Sequence, residues 1–325
     1  MRLLYLIGFI LLFISCKDVV KENSNGGLIK NDLITSNEKT AIIILGNVQD
    51  AGSPHIACNK ECCKVLFVNP DSNRKVVSLG TIDSENQKTF LFEATPDIAT
   101  QIKILKNATT WATDEIPNGI FVSHAHIGHY TGLMYLGKEA INAHQIPVFA
   151  MPKMKSFLEQ NGPWGQLLQN ENITMKSMTE EVVVNLTSNI RVVPFNVPHR
   201  DEYSETVGYT IMGPNKKVLF IPDIDKWEKW EINIIDAVSK VDYAFLDATF
   251  YDGSEIDNRD ISEIPHPFVI ETMQLFKNQP DKEKSKVHFI HLNHTNPLLN
   301  PDSEQSKEVI SKGFNIARIN MKFNL

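Results

Sequence analysis

Gly119-Ile-Phe-Val-Ser-His124-Ala-His126-Ile-Gly128-His129 is a short apolar run that breaks into three histidines within six positions. An apolar run of strand length followed by helical patterning places these imidazoles on a strand-to-helix turn. Neutral imidazole is the commonest protein metal ligand near neutral pH, and alternate positions on such a turn let His124 and His126 converge on one ion. The stretch therefore reads as the nucleus of a metal site at a strand end.

Working outward, apolar runs recur at Ala41–Leu45, Val76–Leu79, Thr89–Phe92 and Gly119–Val122, most of them bounded by Gly, Asp, Asn or Pro. A second group follows at Glu181–Leu186, Ile190–Val197, Thr206–Met212, Lys217–Ile221 and Ala244–Leu246. Helical patterns lie at Gly132–Ala143, Pro152–Gln160, Glu228–Ser239, Pro267–Asn278 and Asp302–Lys312. Two strand-rich halves, each with helices, predict an α/β sandwich with sheets face to face and helices outside. His124, His199, Asp223, Asp247 and His291 each follow such a run directly, and strand-end loops are where ligands collect in layered α/β proteins.

The histidine spacing resembles the metallo-β-lactamase superfamily, whose signature is His-x-His-x-Asp-His at a strand end; Gly128 stands where that family has Asp. The resemblance implies an αββα four-layer sandwich. It further implies that His124, His126 and His199 hold a first metal, that Asp223 bridges, and that His129 and His291 hold a second. Gly128 leaves a mononuclear or a dinuclear site open, with Asp225 as a substitute ligand or as a carboxylate behind one.

Leu45-Gly46, Gly52-Ser53-Pro54 with the cysteines after it, and His291-Leu-Asn-His294-Thr-Asn-Pro297 are similar to PqqB-like members of the superfamily, proteins of pyrroloquinoline quinone biosynthesis. Leu246-Asp247-Ala248-Thr249 followed by His266 looks like the PhnP-type cyclic phosphodiesterases, which makes His266 the general-acid candidate. Asp247 is expected to fix a ligand imidazole, and His294 to contact substrate or the second metal, or to hydrogen-bond within its loop.

His55, Cys58, Cys62 and Cys63 supply an imidazole and three sulfurs within nine positions, a donor set for a closed, structural zinc site. Free thiols or one disulfide are the competing readings.

Met1-Arg2, an apolar segment and Ser15-Cys16 read as a lipoprotein signal, with residues 17–39 as a polar tether and 40–325 as the folded domain. Export to the periplasm or cell surface, anchored in a membrane by lipid on Cys16, follows from that reading. A formal charge of −7 without a basic cluster excludes a groove for nucleic acid and favours a small-molecule substrate. The segment 151–178, with Trp164, is a candidate lid.

These readings converge on a hydrolase that uses a metal-bound hydroxide on a small ester or phosphodiester, with Asp223 orienting the nucleophile and His266 protonating the leaving group. Zinc is the expected metal, one or two ions in the active site and one structural, with Mn2+ or Fe2+ as alternatives. The competing functions are a PqqB-like metal-dependent oxygenase or cofactor-biosynthesis protein, and a non-catalytic lipoprotein that binds a small molecule or a metal.

Overall fold

β1 (Thr40–Gly46) is buried along its whole length, because Ile42 and Ile44 face one core while Ile43 and Leu45 face another. A strand covered on both faces reads as an unbroken apolar run, and this one sits inside a sheet between two layers. The structure, a computed structural model, describes residues 39–112, 114–200, 202–256 and 264–325. The expected signal, the acylated Cys16 and nearly all of the tether lie outside the described residues.

The first sheet continues with β2 (Ser78–Asp83), β3 (Lys88–Phe92), β4 (Ile120–Phe121), β5 (Ile146–Ala150) and β6 (Ile173–Ser177). The second comprises β7 (Val184–Asn185), β8 (Arg191–Asn196), β9 (Val207–Met212), β10 (Lys217–Ile221), β11 (Tyr243–Asp247), β12 (Val287–Ile290) and β13 (Asn315–Ile316), and β14 (Lys322–Asn324) returns to the first. The strand orders are β14-β1-β2-β3-β4-β5-β6 and β13-β12-β11-β10-β9-β8-β7. Both sheets share one plan. Pairing is antiparallel from β14 to β3 and from β7 to β10, then parallel from β3 to β6 and from β10 to β13.

Between the sheets Phe92, Phe121 and Phe149 stack at 4.6 Å and 4.4 Å, and Tyr209 meets the first two edge-on. Outside the first sheet, the helix Ile98–Asn107 packs Ile98, Ile102 and Leu105 against Ile43 and Leu45. Outside the second, Val238, Val269 and Val309 from three helices cover Leu219, Leu246 and Phe289. The result is the four-layer αββα sandwich expected from the sequence.

Several elements differ in extent. The helical pattern from Gly132 stops as a 3-10 turn, Thr131–Leu136, and the pattern from Glu228 splits into a turn at Trp227–Lys229 and a helix, Ile234–Ser239, capped by the Asn233 side chain. The segment 151–178, the candidate lid, forms two helices, Pro152–Gln160 and Trp164–Gln169, followed by β6. Trp164 packs on Tyr130 and Phe157, at 4.8 Å and 6.0 Å between ring centres, which makes it part of the outer layer.

One contact positions the site. After β1 the chain crosses to the other sheet, where Val48 bridges both Val76 and Leu292. Gln49 N–H then donates to Leu292 C=O, and Leu292 N–H to Asn47 C=O. Val48 and Leu292 are 244 positions apart in sequence, and this bridge lays the segment after β1 against the one after β12.

Candidate metal centre

Nε2 of His124, Nδ1 of His126, Nε2 of His199 and a carboxylate oxygen of Asp223 form one group whose ligand atoms all lie within 4.8 Å of one another. His124 and His126 leave β4, His199 follows β8, and Asp223 follows β10. The nitrogens face each other closely: His124 Nε2 is 2.9 Å from His126 Nδ1, which is 3.3 Å from His199 Nε2. Asp223 Oδ2 lies 3.4 Å from His124, 3.8 Å from His126 and 3.1 Å from His199.

The far nitrogens are already engaged. Nδ1 of His124 meets Ser123 Oγ at 2.9 Å, and Nδ1 of His199 meets Asp225 Oδ1 at 3.0 Å. A proton on each of those nitrogens leaves the Nε2 lone pairs converging with Asp223. Protons on the facing nitrogens or a cation between them satisfy such contacts, and a buried set of three imidazoles and one carboxylate fits a divalent metal ion. Asp225, a possible substitute for the missing carboxylate, instead orients His199.

A second group joins His129, His291, Asp223 and Asp50. Asp223 thus belongs to both. Asp50 and Glu93 were not singled out from the sequence, yet Asp50 lies between His129 and His291, and the buried Glu93 lies 3.2 Å from Nδ1 of His129. Glu93 and His291 both adopt positive φ, 75° and 62°, in the left-handed region that non-glycine residues rarely occupy.

His266 and Asp247 complete the pocket. Nδ1 of His266 is 2.8 Å from Asp247 Oδ2 and 3.1 Å from Asp223 Oδ1, while Asp247 Oδ1 is 3.2 Å from Nδ1 of His291. Asp247 therefore fixes two imidazoles at once. Burial and the charge of His129 hold His124 well below the usual histidine value. Burial opposes protonation of His266 and His199 too, but Asp247 and Asp223 hold His266 well above that value, and Asp223 lifts His199 to about 9.

The sulfurs of Cys58, Cys62 and Cys63 gather elsewhere, with His294 and not His55. The expected fourth donor is corrected for a local reason: Nδ1 of His55 is 2.8 Å from the C=O of Ile56, so its ring serves its own loop. His294 crosses from the loop after β12 and stacks on His55 at 4.4 Å. It groups with the thiols and not with either histidine group, and its Nδ1 meets Oδ1 of Asn293 at 3.0 Å, the hydrogen bond within its loop that was one of the readings expected for it. Burial, then Cys63, pushes the Cys62 thiol up to about 12, and a metal ion is what would draw a thiolate from it.

A family model described as "Beta-lactamase superfamily domain" matches residues 88–291, from β3 to the histidine after β12. The chain belongs to this superfamily. Within it, the chain is 20% identical to coenzyme PQQ synthesis protein B of Methylorubrum extorquens over 312 residues, 87% of this chain and 99% of that relative. The crystal structure of Zn2+-bound PqqB from Methylobacterium extorquens superposes with a TM-score of 0.72 at 18% identity, over 88% of this chain and 100% of that one. A diphosphatase of the PhnP family superposes with a TM-score of 0.61 at 16% identity, over 88% and 97%. The superfamily chain described here thus has a metallo-β-lactamase fold of PqqB-like form, with a histidine and aspartate cluster suited to a metal ion.

Proposed function

We propose that the chain is a metal-dependent hydrolase of a small ester or phosphodiester, with zinc as its metal. The observation that carries this reading is Asp223: one buried carboxylate shared by three groups of candidate ligands, the third of them with Asp247, His266 and His291. When bound, the metal acidifies a water and polarises the substrate oxygen. Asp223 orients the attacking oxygen. His266, whose Nδ1 is held by Asp247 at 2.8 Å, is placed to give a proton to the leaving group. Asp247 and Asp225 keep the ligand rings in place.

The superposed diphosphatase supports a phosphorus ester, and the relatives' name, a coenzyme synthesis protein, supports a small substrate. Residues 1–16 add a lipid anchor on Cys16 and export to this proposal. Assay of the zinc-loaded protein with bis(p-nitrophenyl) phosphate and p-nitrophenyl acetate tests it. Asp223→Ala should abolish turnover, and His266→Ala should lower kcat by about 10²-fold or more; unimpaired turnover in Asp223→Ala would sink the reading.

A second reading is oxygen-dependent chemistry at iron(II), which histidines with a carboxylate also suit and which accords with the PQQ-synthesis relatives. Oxygen uptake by the iron-loaded protein, with no hydrolysis by the zinc form, would put it in first place.

A further inference from the structure

Asp50 comes from the loop after β1, outside the histidine turn, yet its Oδ1 stands 2.8 Å from Nε2 of His129 and 3.1 Å from Nε2 of His291. The other nitrogens of both rings decide where the protons are. Nδ1 of His129 faces Glu93 Oε2 at 3.2 Å. Nδ1 of His291 faces Oγ1 of Thr249 at 2.9 Å, and that hydroxyl donates its own hydrogen to Asp247. Each Nδ1 therefore carries a hydrogen, and each neutral ring turns an Nε2 lone pair toward Asp50. One carboxylate oxygen against two lone pairs is repulsive unless positive charge lies between them, either as a proton on each Nε2 or as a metal ion.

Gly128 supplies a second, independent observation. A Cβ built there would lie 2.4 Å from Cα of Asp50, 2.7 Å from its Cβ and 2.8 Å from its Cγ. Any side chain at 128 would have to displace Asp50, backbone included. Position 128 and Asp50 compete for the same volume, and in this chain Asp50 fills it.

We infer that Asp50 is a ligand of a second metal ion, replacing in space the carboxylate that the His-x-His-x-Asp-His signature carries at position 128. The inference rests on the metal-site reading above and extends it to a dinuclear centre held by Asp50, His129, His291 and the shared Asp223. Of the carboxylates in the pocket, Asp50 is the one whose oxygen stands between Nε2 of His129 and Nε2 of His291, where a second dication would sit. The carboxylate has moved to another loop, and the glycine is the space it moved into.

The test is a zinc titration of chelator-stripped protein against a chromophoric competitor, with circular dichroism on each variant. The thiol-site zinc is removed from the count by a Cys62→Ser background. In that background the parent should bind two ions per chain. Asp50→Ala and His129→Ala should each lose the same, weaker ion and keep the tighter one, a loss of more than the roughly 10–100-fold that outer partners of a metal site cost. Asp50→Glu, which keeps the charge, should retain part of the affinity, and gives the same readout if Asp50→Ala fails to fold. Two ions bound by Asp50→Ala, with one lost in His129→Ala, would overturn the role of Asp50 alone. A parent that binds one ion would overturn the dinuclear centre, and unchanged zinc in both His124→Ala and His129→Ala would overturn the metal site itself.

Discussion

Asp225 Oδ1 holds Nδ1 of His199 at 3.0 Å, and Lys229 holds the other oxygen of that carboxylate at 2.8 Å. The Asp225 carboxyl is kept below its usual range: burial works against this, and His199 and Lys229 outweigh it. Removing the carboxylate frees the His199 ring to rotate and lowers its basicity as a ligand. Asp225→Ala is expected to weaken the first metal ion by about 10–100-fold while the fold persists. Competition against a chelator of known affinity measures this, and an unchanged constant would show that His199 is held by its ligand bond alone.

Glu93, fully buried after β3, brings a carboxylate oxygen to 3.2 Å from Nδ1 of His129. Glu93→Gln should lower affinity for the second ion and spare the first, and it should change stability of the metal-free chain by no more than about 1–3 kcal/mol. Metal affinities for both ions together with an unfolding curve of the stripped protein check the two halves of that expectation.

Donors at the thiol group are separable by mutation. Cys62→Ala and His294→Ala should each lose one zinc per chain and lower Tm, whereas His55→Ala should keep the zinc. Elemental analysis of the three purified variants decides it; zinc lost from His55→Ala and kept in His294→Ala would restore the set expected from sequence proximity.

His288 gives a pH dependence that is independent of metal. Its ring is buried against Phe245 and Phe323, and burial, offset in part by the C=O of Lys286, pulls its pKa from 6.5 down to about 4. A histidine depressed on folding contributes stability above pH 6.5 that is lost as the pH falls toward 4, because the unfolded chain takes up the proton first. His288→Phe should therefore flatten the acid limb between pH 6.5 and 4, by up to about 3 kcal/mol on conversion of the shift. Urea unfolding at pH 7 and at pH 4.5 measures it, and parallel losses in both proteins would exclude His288 as the cause.

The histidine turn was legible because its spacing is local: His124, His126 and His129 need only one strand end to aim them. His199, Asp223 and His291 were legible by their places after apolar runs, and the structure brings all six together. Asp50 was hidden because its partners lie 79 and 241 positions away, joined to it through Val48 and not through any pattern in its own loop. The gap at Gly128 was the signal for it, pointing to a missing carboxylate without saying which loop would supply one. His55 illustrates the reverse error, since nearness in sequence to three cysteines says nothing about which way a ring turns. The amphipathic helix Ile98–Asn107 went unassigned although its apolar residues recur at helical spacing.

Thr40 and Leu325 meet in the same strand pair: the Thr40 hydroxyl donates to the Leu325 C=O at 3.1 Å, and the Leu325 N–H donates to the Thr40 C=O at 3.1 Å. Whatever precedes Thr40 and whatever is fused after Leu325 thus leave the domain from one spot, at the far end of β1 from the metal loops, roughly 20 Å away at about 3.3 Å per residue. A short linker would close the chain into a ring at small entropic cost, which makes this domain a good candidate for circular permutation with its new ends opened in an exposed outer turn.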